Sequence, residues 1–182
     1  MSRVQLIRPL ARRLTTWAPR HTVRPFSRSA ISFQTLPIDI SGEGTGTIQT
    51  VSIDGKPYKI LSDTYPVVGG ADSAPSPVVY SLTSLSTCTQ VTGSLVARDH
   101  NIKLGRWNVS VHGDLPTGAL VRGEQVNANW ERIALKVRVQ TDAYDDAKFQ
   151  HFVAECERRC PIAQLFKRSG TEWQTEWVNE AL

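Results

Sequence analysis

The chain has 182 residues, of which 40% are apolar and 21% charged, which suits one globular domain with an appendage. A net charge of +4 would suggest a nucleic-acid or membrane partner, but the basic excess lies in residues 1–33, which hold seven Arg, no Lys and no acidic residue. Residues 34–182 hold 14 basic against 17 acidic residues, a net charge of −3, so we expect no nucleic-acid partner for this part.

Residues 1–33 have the composition of a mitochondrial presequence. Between the arginines, apolar residues recur at roughly helical spacing, at Leu6, Ile7, Leu10 and Leu14. The stretch RPFSRSAISF resembles a two-step mitochondrial cleavage signal, which places the start of the mature chain near Gln34. We therefore predict a presequence at 1–33, one domain at 34–182 and a location in the mitochondrial matrix. The alternative is a basic tail that binds nucleic acid or a membrane.

The first part of the domain predicts a β-hairpin followed by a loop. Alternating side chains at residues 48–53, the turn pair Asp54-Gly55 and a second short strand at residues 58–61 are typical of a hairpin. The next stretch, YPVVGGADSAPSP, contains two adjacent glycines and three prolines, which predicts a loop.

A long helix is predicted from Pro77 to about Asp99. Proline is favoured in the first helical turn because its missing N–H has no intrahelical partner there. The helix falls in a run, residues 73–97, that has no charged side chain but has ten Ser or Thr among its 25 residues. That content is too polar for a membrane span. The run therefore predicts a helix buried on most of its sides, with a wide apolar stripe at Val78, Leu82, Leu85, Val91, Thr92, Leu95 and Val96.

The second half of the domain predicts further strands and helices. Alternation in residues 107–112 and 133–139 indicates two strands, each covered on one face only, which is typical of an antiparallel sheet. The stretch DDAKFQHFVAECERRC predicts an amphipathic helix, and PIAQLFKRSG predicts a short helix that ends at Gly170. A last strand is predicted at TEWQTEWV. Together these elements predict one α+β domain.

The three cysteines are Cys88, Cys156 and Cys160. In a reducing compartment we expect free thiols, metal ligands or redox-active groups rather than structural disulfides. Cys156 shares a helix stripe with two phenylalanines and is predicted to be a small buried hydrophobe. Cys156 and Cys160 could bind zinc together with His151, but a fourth ligand is not evident, so we predict neither a metal nor a cofactor.

Two motifs contain cysteines at a defined spacing. SPVVYSLTSLSTC places Cys88 eleven residues after Pro77, and CERRCPIAQLFKRSG contains the pair Cys160-Pro161 before the predicted short helix. In this spacing and order the chain resembles the OsmC/Ohr family of thiol-dependent hydroperoxide reductases, in which a proline opens the central helix that carries a reactive cysteine. The resemblance extends over roughly residues 45–178.

The resemblance implies an α+β fold with antiparallel sheets around a long buried central helix, in an intertwined homodimer with active sites at the subunit interface. It implies that Cys88 attacks a hydroperoxide as a thiolate and becomes a sulfenic acid, which Cys160 converts to a disulfide. A dithiol reductant, for example of the lipoyl type, then reduces that disulfide. For Cys160 the residues agree, because Pro161 places its thiol at a helix N-terminus, where a thiolate is stabilised.

The sequence departs from the family at the groups that activate the first cysteine. Family members active on organic hydroperoxides have an arginine in the N-terminal strands and a glutamate directly after the helix-opening proline. Here Val78 follows that proline, and no arginine lies between Arg28 and Arg98. A cation of the other subunit could act instead, and within the chain the candidates are Lys56, Lys59 and Arg122.

Two functions remain open at this point. The first is a hydroperoxide reductase of oxidative-stress defence, with Cys88 as the peroxidatic thiolate and Cys160 as the resolving thiol. The second is a dimeric binding protein of the same fold, which holds a small apolar ligand at the subunit interface and whose redox function has decayed. Neither function requires nucleic acid or a membrane span.

Overall fold

The computed structural model describes residues 35–182. Of these, Ile38–Leu182 form one compact unit. The predicted presequence at residues 1–33 lies outside the described residues, so it stays a prediction.

The N-terminal sheet consists of three antiparallel strands in the order β1-β2-β3, namely β1 (Ile40–Thr45), β2 (Ile48–Ile53) and β3 (Lys59–Ser62). Strands β2 and β3 confirm the predicted hairpin. Strand β1 was not predicted, because Ile40 is its one large apolar residue and the pattern therefore does not alternate. Every residue of β1 is exposed, and of β3 only Ser62 is buried.

Helix α1 (Pro77–Asp99) begins and ends where the sequence predicts. The Ser76 hydroxyl caps its first turn by accepting a 3.4 Å hydrogen bond from the Val79 N–H. Strand β4 (Leu104–Asp114) follows, and then a short helix α2 (Gly118–Arg122) that was not predicted.

The second sheet has the strand order β4-β5-β6 and includes β5 (Arg132–Thr141) and β6 (Glu172–Ala181). Strands β4 and β5 are antiparallel, as predicted, whereas β5 and β6 are parallel. A parallel pair requires a crossover connection. Helices α3 (Asp146–Arg159) and α4 (Pro161–Arg168) provide it, with one residue between them.

The main core lies between α1, α3 and the inner face of the second sheet. Its fully buried members include Val96, Val137 and Phe152. Gly93 lets α1 approach β4 closely, because a Cβ at this position would lie 2.4 Å from a ring carbon of Trp107.

The opposite face of α1 is exposed in the single chain, where Val91 is 60% and Leu95 41% exposed. The sequence predicts burial on most sides of this helix, but one chain buries it on one side only, because its sheet and helices cover a single face. No helix within residues 35–182 has the length and apolar character needed to cross a bilayer.

Candidate functional site

Cys88 lies in the middle of α1 and is half-buried. Its side chain packs against a small core cluster formed by the buried residues Leu85, Ile133, Cys160, Ala163 and Phe166. The Cys88 thiol is also 4.0 Å from the hydroxyl of Thr92, one turn further along the helix. The fold therefore brings Cys88 together with Cys160, its predicted partner.

Cys160 is the single residue between α3 and α4, and it is 2% exposed. Its backbone N–H donates a 3.0 Å hydrogen bond to the Cys156 carbonyl, the last bond of α3. Its sulfur accepts a 3.4 Å hydrogen bond from the Ala163 N–H in the first turn of α4. The predicted position of this thiol at a helix N-terminus is confirmed.

The thiolate character predicted for Cys160 is not what the structure favours. Burial raises the pKa of the Cys160 thiol, and the neighbouring Cys88 thiol raises it further. The backbone N–H groups of Ala163 and Ile162 act in the opposite direction, but they do not outweigh burial. The helix terminus thus acts in the predicted direction, but the desolvation around the thiol has the larger effect.

Cys156 is 1% exposed, and burial raises the pKa of its thiol to about 12. It is a member of the main core, which confirms its prediction as a small buried hydrophobe. Within residues 35–182, no cluster of three or more metal-ligating side chains was found, and the ring of His151 contacts His100 instead. All three cysteines are free thiols.

The candidate activating cations lie in different parts of the chain. The guanidinium of Arg122, in α2, pairs with the carboxylate of Glu124. Lys59, in β3, lines a polar groove on the N-terminal sheet together with Glu43. Lys56 is exposed in the turn that precedes β3. Their predicted role beside Cys88 stays a prediction.

An apolar cleft of about 490 Å³ opens at the start of α1, where the sequence predicts no site. Its lining is mainly apolar and comes from the loop before α1, from the first residues of α1, from the segment between β4 and α2, and from α2. The apolar lining residues are Tyr65, Val67, Val68, Pro77, Val78, Leu115, Leu120 and Val121. Val78 lies ten residues before Cys88 on α1, which is roughly 15 Å along the helix axis at about 1.5 Å per residue. Within one chain, the cleft and the thiol pair are therefore separate features.

Asp63 organises the loop beneath this cleft and is completely buried. One carboxylate oxygen accepts hydrogen bonds from the N–H groups of Ala71 and Ser73, both at 3.0 Å, and from the Ser73 hydroxyl at 2.8 Å. The other accepts a 2.9 Å bond from the Thr47 hydroxyl. The backbone hydrogen bonds of Ser73 and Thr64, together with the hydroxyls of Ser73 and Thr47, hold the pKa of Asp63 well below its usual range against the opposing effect of burial. Asp63 was not predicted, although an aspartate that directly follows a strand and precedes a Gly-Gly loop was an available sequence signal.

Comparisons with known proteins agree on one family. A family model described as OsmC-like protein matches residues 70–176. No curated protein matches the chain significantly. Among solved structures, an OsmC-like protein from Mycoplasma pneumoniae is 17% identical, with 80% of this chain and 99% of that chain covered at a TM-score of 0.68.

Two further solved structures are described as organic hydroperoxide resistance proteins. The protein from Elizabethkingia anophelis is 17% identical, with 81% of this chain and 99% of that chain covered at a TM-score of 0.60. The protein from Legionella pneumophila is 13% identical, with 80% and 98% covered at a TM-score of 0.60. At these identities the likeness shows a shared fold.

Proposed function

Because this chain belongs to the OsmC-like family, whose model matches more than half of it, we propose that it is a thiol-dependent hydroperoxide reductase that uses Cys88 and Cys160. Two of the structural neighbours are described as organic hydroperoxide resistance proteins, which supports hydroperoxides as the substrate class.

The observation that carries the proposal is the packing of the two cysteines. They come from distant parts of the chain, yet Cys88 packs against the cluster that contains Cys160. Cys88 is half-buried and therefore partly accessible, whereas Cys160 and Cys156 are almost fully enclosed. An accessible thiol beside an enclosed one suits a peroxidatic and a resolving cysteine respectively.

The proposed reaction has two steps. In the first, the Cys88 thiolate attacks the terminal oxygen of a hydroperoxide, the O–O bond breaks, and the alkoxide leaves as an alcohol after taking up a proton. In the second, the Cys160 sulfur bonds to the Cys88 sulfur, the S–O bond of the sulfenic acid breaks, and water leaves. A dithiol reductant then reduces the Cys88–Cys160 disulfide by thiol–disulfide exchange, which restores both thiols and leaves the reductant as its own disulfide.

We further propose that the active form is an intertwined homodimer. The N-terminal sheet exposes apolar residues such as Ile40 (65%) and Leu61 (45%), and the outer face of α1 exposes Val91. Exposed apolar surface of this extent on a sheet and on a central helix favours a second copy as its cover. In such a dimer a cation of the partner could lower the pKa of Cys88.

The composition of residues 1–33 supports import into the mitochondrial matrix, with residues 34–182 as the mature domain. Localisation of a fusion of the full chain to a fluorescent protein, compared with a fusion that lacks residues 1–33, tests this. Loss of mitochondrial signal is expected for the shortened fusion, and unchanged targeting would contradict the proposal.

The enzymatic proposal is tested by mixing fully reduced protein with one equivalent of cumene hydroperoxide and mapping the cysteines by mass spectrometry. The wild type should form a Cys88–Cys160 disulfide, and Cys160→Ser should accumulate Cys88 sulfenic acid that dimedone traps. Cys156→Ser is the matched control and should behave as the wild type. If neither the disulfide nor the sulfenic acid forms, the chain is not a peroxidase of this kind.

A second candidate function is favoured by the apolar cleft at the start of α1. Its volume of about 490 Å³ falls within the range of small-molecule sites, and Val78 lines it at the position where the family resemblance implies a glutamate. These features suit a binding protein for a small apolar ligand, in which the cysteines are not required.

One pair of variants distinguishes the binding function from the peroxidase function. If the protein is a binding protein, Leu120→Asp should abolish retention of a fluorescent fatty-acid probe, and Cys88→Ser should leave it unchanged. Loss of probe binding in Cys88→Ser, or equal binding in Leu120→Asp, would contradict the binding function.

A further inference from the structure

The angle between α3 and α4 determines where the Cys160 thiol lies. Cys160 is the single residue between the two helices. Its N–H makes the last hydrogen bond of α3, and its sulfur accepts a hydrogen bond from an N–H in the first turn of α4. Any rotation of α4 about this corner therefore moves the sulfur relative to Cys88. A group that holds the corner in place controls how well the two thiols meet.

Glu157 is the residue that holds the corner between α3 and α4 in place. Its carboxylate pairs with the Lys167 ammonium of α4 through one oxygen and accepts a 3.2 Å hydrogen bond from the Trp177 indole N–H of β6 through the other. Its backbone carbonyl accepts a 3.0 Å hydrogen bond from the Gln164 side chain of α4. One residue of α3 thus holds both α4 and β6.

The environment of the Glu157–Lys167 pair distinguishes it from the ion pairs on the surface. The two carboxylates are similarly shielded, with Glu157 16% and Glu155 21% exposed, but Lys167 is only 29% exposed whereas Arg158, the partner of Glu155, is 67% exposed. The Lys167 ammonium also lies 5.4 Å from the ring centroid of Trp173, over its face. A largely desolvated pair contributes little net stability, and its best-attested role is to select one arrangement of the elements that it joins.

We propose that Glu157 is a positioning residue for the resolving step: it holds α4 so that the Cys160 thiol faces Cys88. The inference rests on the proposed function. Glu157 has no part in the attack on the hydroperoxide, since Cys88 is held by α1. Its effect is on the second step, in which the Cys160 sulfur must reach the Cys88 sulfur as the S–O bond breaks and water leaves.

The experiment follows both steps in the full chain by rapid quenching after one equivalent of cumene hydroperoxide. Glu157→Gln should leave the loss of the Cys88 thiol within about twofold of wild type and slow formation of the Cys88–Cys160 disulfide on the order of 10-fold to 100-fold, the cost expected of a misplacement near 1 Å. Lys167→Met should give the same pattern, whereas Lys167→Arg, which keeps the positive charge, should form the disulfide at the wild-type rate.

Glu155→Gln is the matched control, because Glu155 is on the same helix and its pair with Arg158 is confined to α3. It should leave both steps unchanged. An unchanged disulfide rate in Glu157→Gln overturns the proposal, and so does an equal slowing of both steps, which would indicate a general loss of structure.

A measurement without peroxide separates this proposal from the enzymatic one. Equilibration with glutathione gives the effective concentration of the Cys160 thiol toward Cys88, and Glu157→Gln should lower it by roughly the same factor as the rate. If Glu157→Gln lowers the effective concentration but the wild type does not react with hydroperoxide, the peroxidase function fails while the positioning role holds. If the variant and the wild type have equal effective concentrations, the positioning role fails.

Discussion

The three thiols should differ in reactivity in an order that follows from their burial. Burial raises the pKa of Cys156 from 9.0 to about 12. At about pH 8 an unperturbed thiol is roughly 10% thiolate, and a thiol with the Cys156 value is about 0.01% thiolate. Because the thiolate is the nucleophile, iodoacetamide should alkylate Cys156 about 1000-fold more slowly than an unperturbed cysteine, before any steric exclusion is counted.

The sequence makes this measurement direct, because trypsin places each cysteine on a different peptide. Cys88 falls on residues 60–98, Cys156 on residues 149–158 and Cys160 on residues 160–167. Native protein is alkylated for increasing times, quenched, digested and analysed by mass spectrometry. We expect Cys88 to react first, since it alone is half-buried, and Cys160 and Cys156 to react far more slowly.

Labelling in concentrated guanidinium chloride is the control, and there the three peptides should react at similar rates. The reasoning would be refuted if Cys156 in the native protein reacted within about tenfold of Cys88, because its high pKa and its place in the core could not then both be correct. Reaction of Cys160 ahead of Cys88 would equally contradict the assignment of Cys88 as the accessible thiol.

Three further results are expected. Because burial raises the pKa of Cys160, formation of the Cys88–Cys160 disulfide from the sulfenic acid should accelerate as pH rises from 7 to 9, up to about tenfold per unit; a flat profile would contradict a neutral resolving thiol. Gly93→Ala should lower the free energy of unfolding by about 1–3 kcal/mol in a denaturant titration, because the new Cβ would lie 2.4 Å from Trp107; the exposed control Ser94→Ala should change it little. The pKa of Asp63 is lower in the folded protein than its ordinary value of 3.8, so ionised Asp63 stabilises the fold fully above that pH and progressively less as the pH falls below it. The melting temperature should therefore fall less between pH 5 and pH 3 in Asp63→Asn than in the wild type.

The sequence predicted the elements whose side chains follow a simple period. Pro77 and the apolar stripe predicted α1 with its observed ends, and alternation predicted β4 and β5. Strand β1 escaped prediction because strand pairing with β2, rather than its own composition, makes it a strand. The parallel pairing of β6 likewise depends on the path of α3 and α4 through space, which no local pattern contains.

The candidate site was predicted in part for a similar reason. The spacing from Pro77 to Cys88 and the Cys160-Pro161 pair identified two thiols that the fold brings together. Local sequence could not show that Cys160 is 2% exposed, so it predicted a thiolate where burial favours the neutral thiol. An aspartate before a Gly-Gly loop signals a turn, but it could not show that the N–H groups of Ala71 and Ser73 and the hydroxyls of Ser73 and Thr47 all converge on Asp63.

The two thiols therefore differ in what the single chain provides for each. Cys160 has its position set within one subunit, by the corner between α3 and α4 and by the contacts of Glu157. Cys88 lies on a helix whose outer face exposes Val91 and Leu95, and the candidate cations of its own chain are engaged elsewhere or lie in other elements. In the proposed mechanism, resolution is thus a property of the subunit, whereas activation of Cys88 is assigned to the surface that the proposed second copy covers. Conditions that dissociate a dimer should accordingly suppress sulfenic acid formation at Cys88 and leave the effective concentration of Cys160 unchanged.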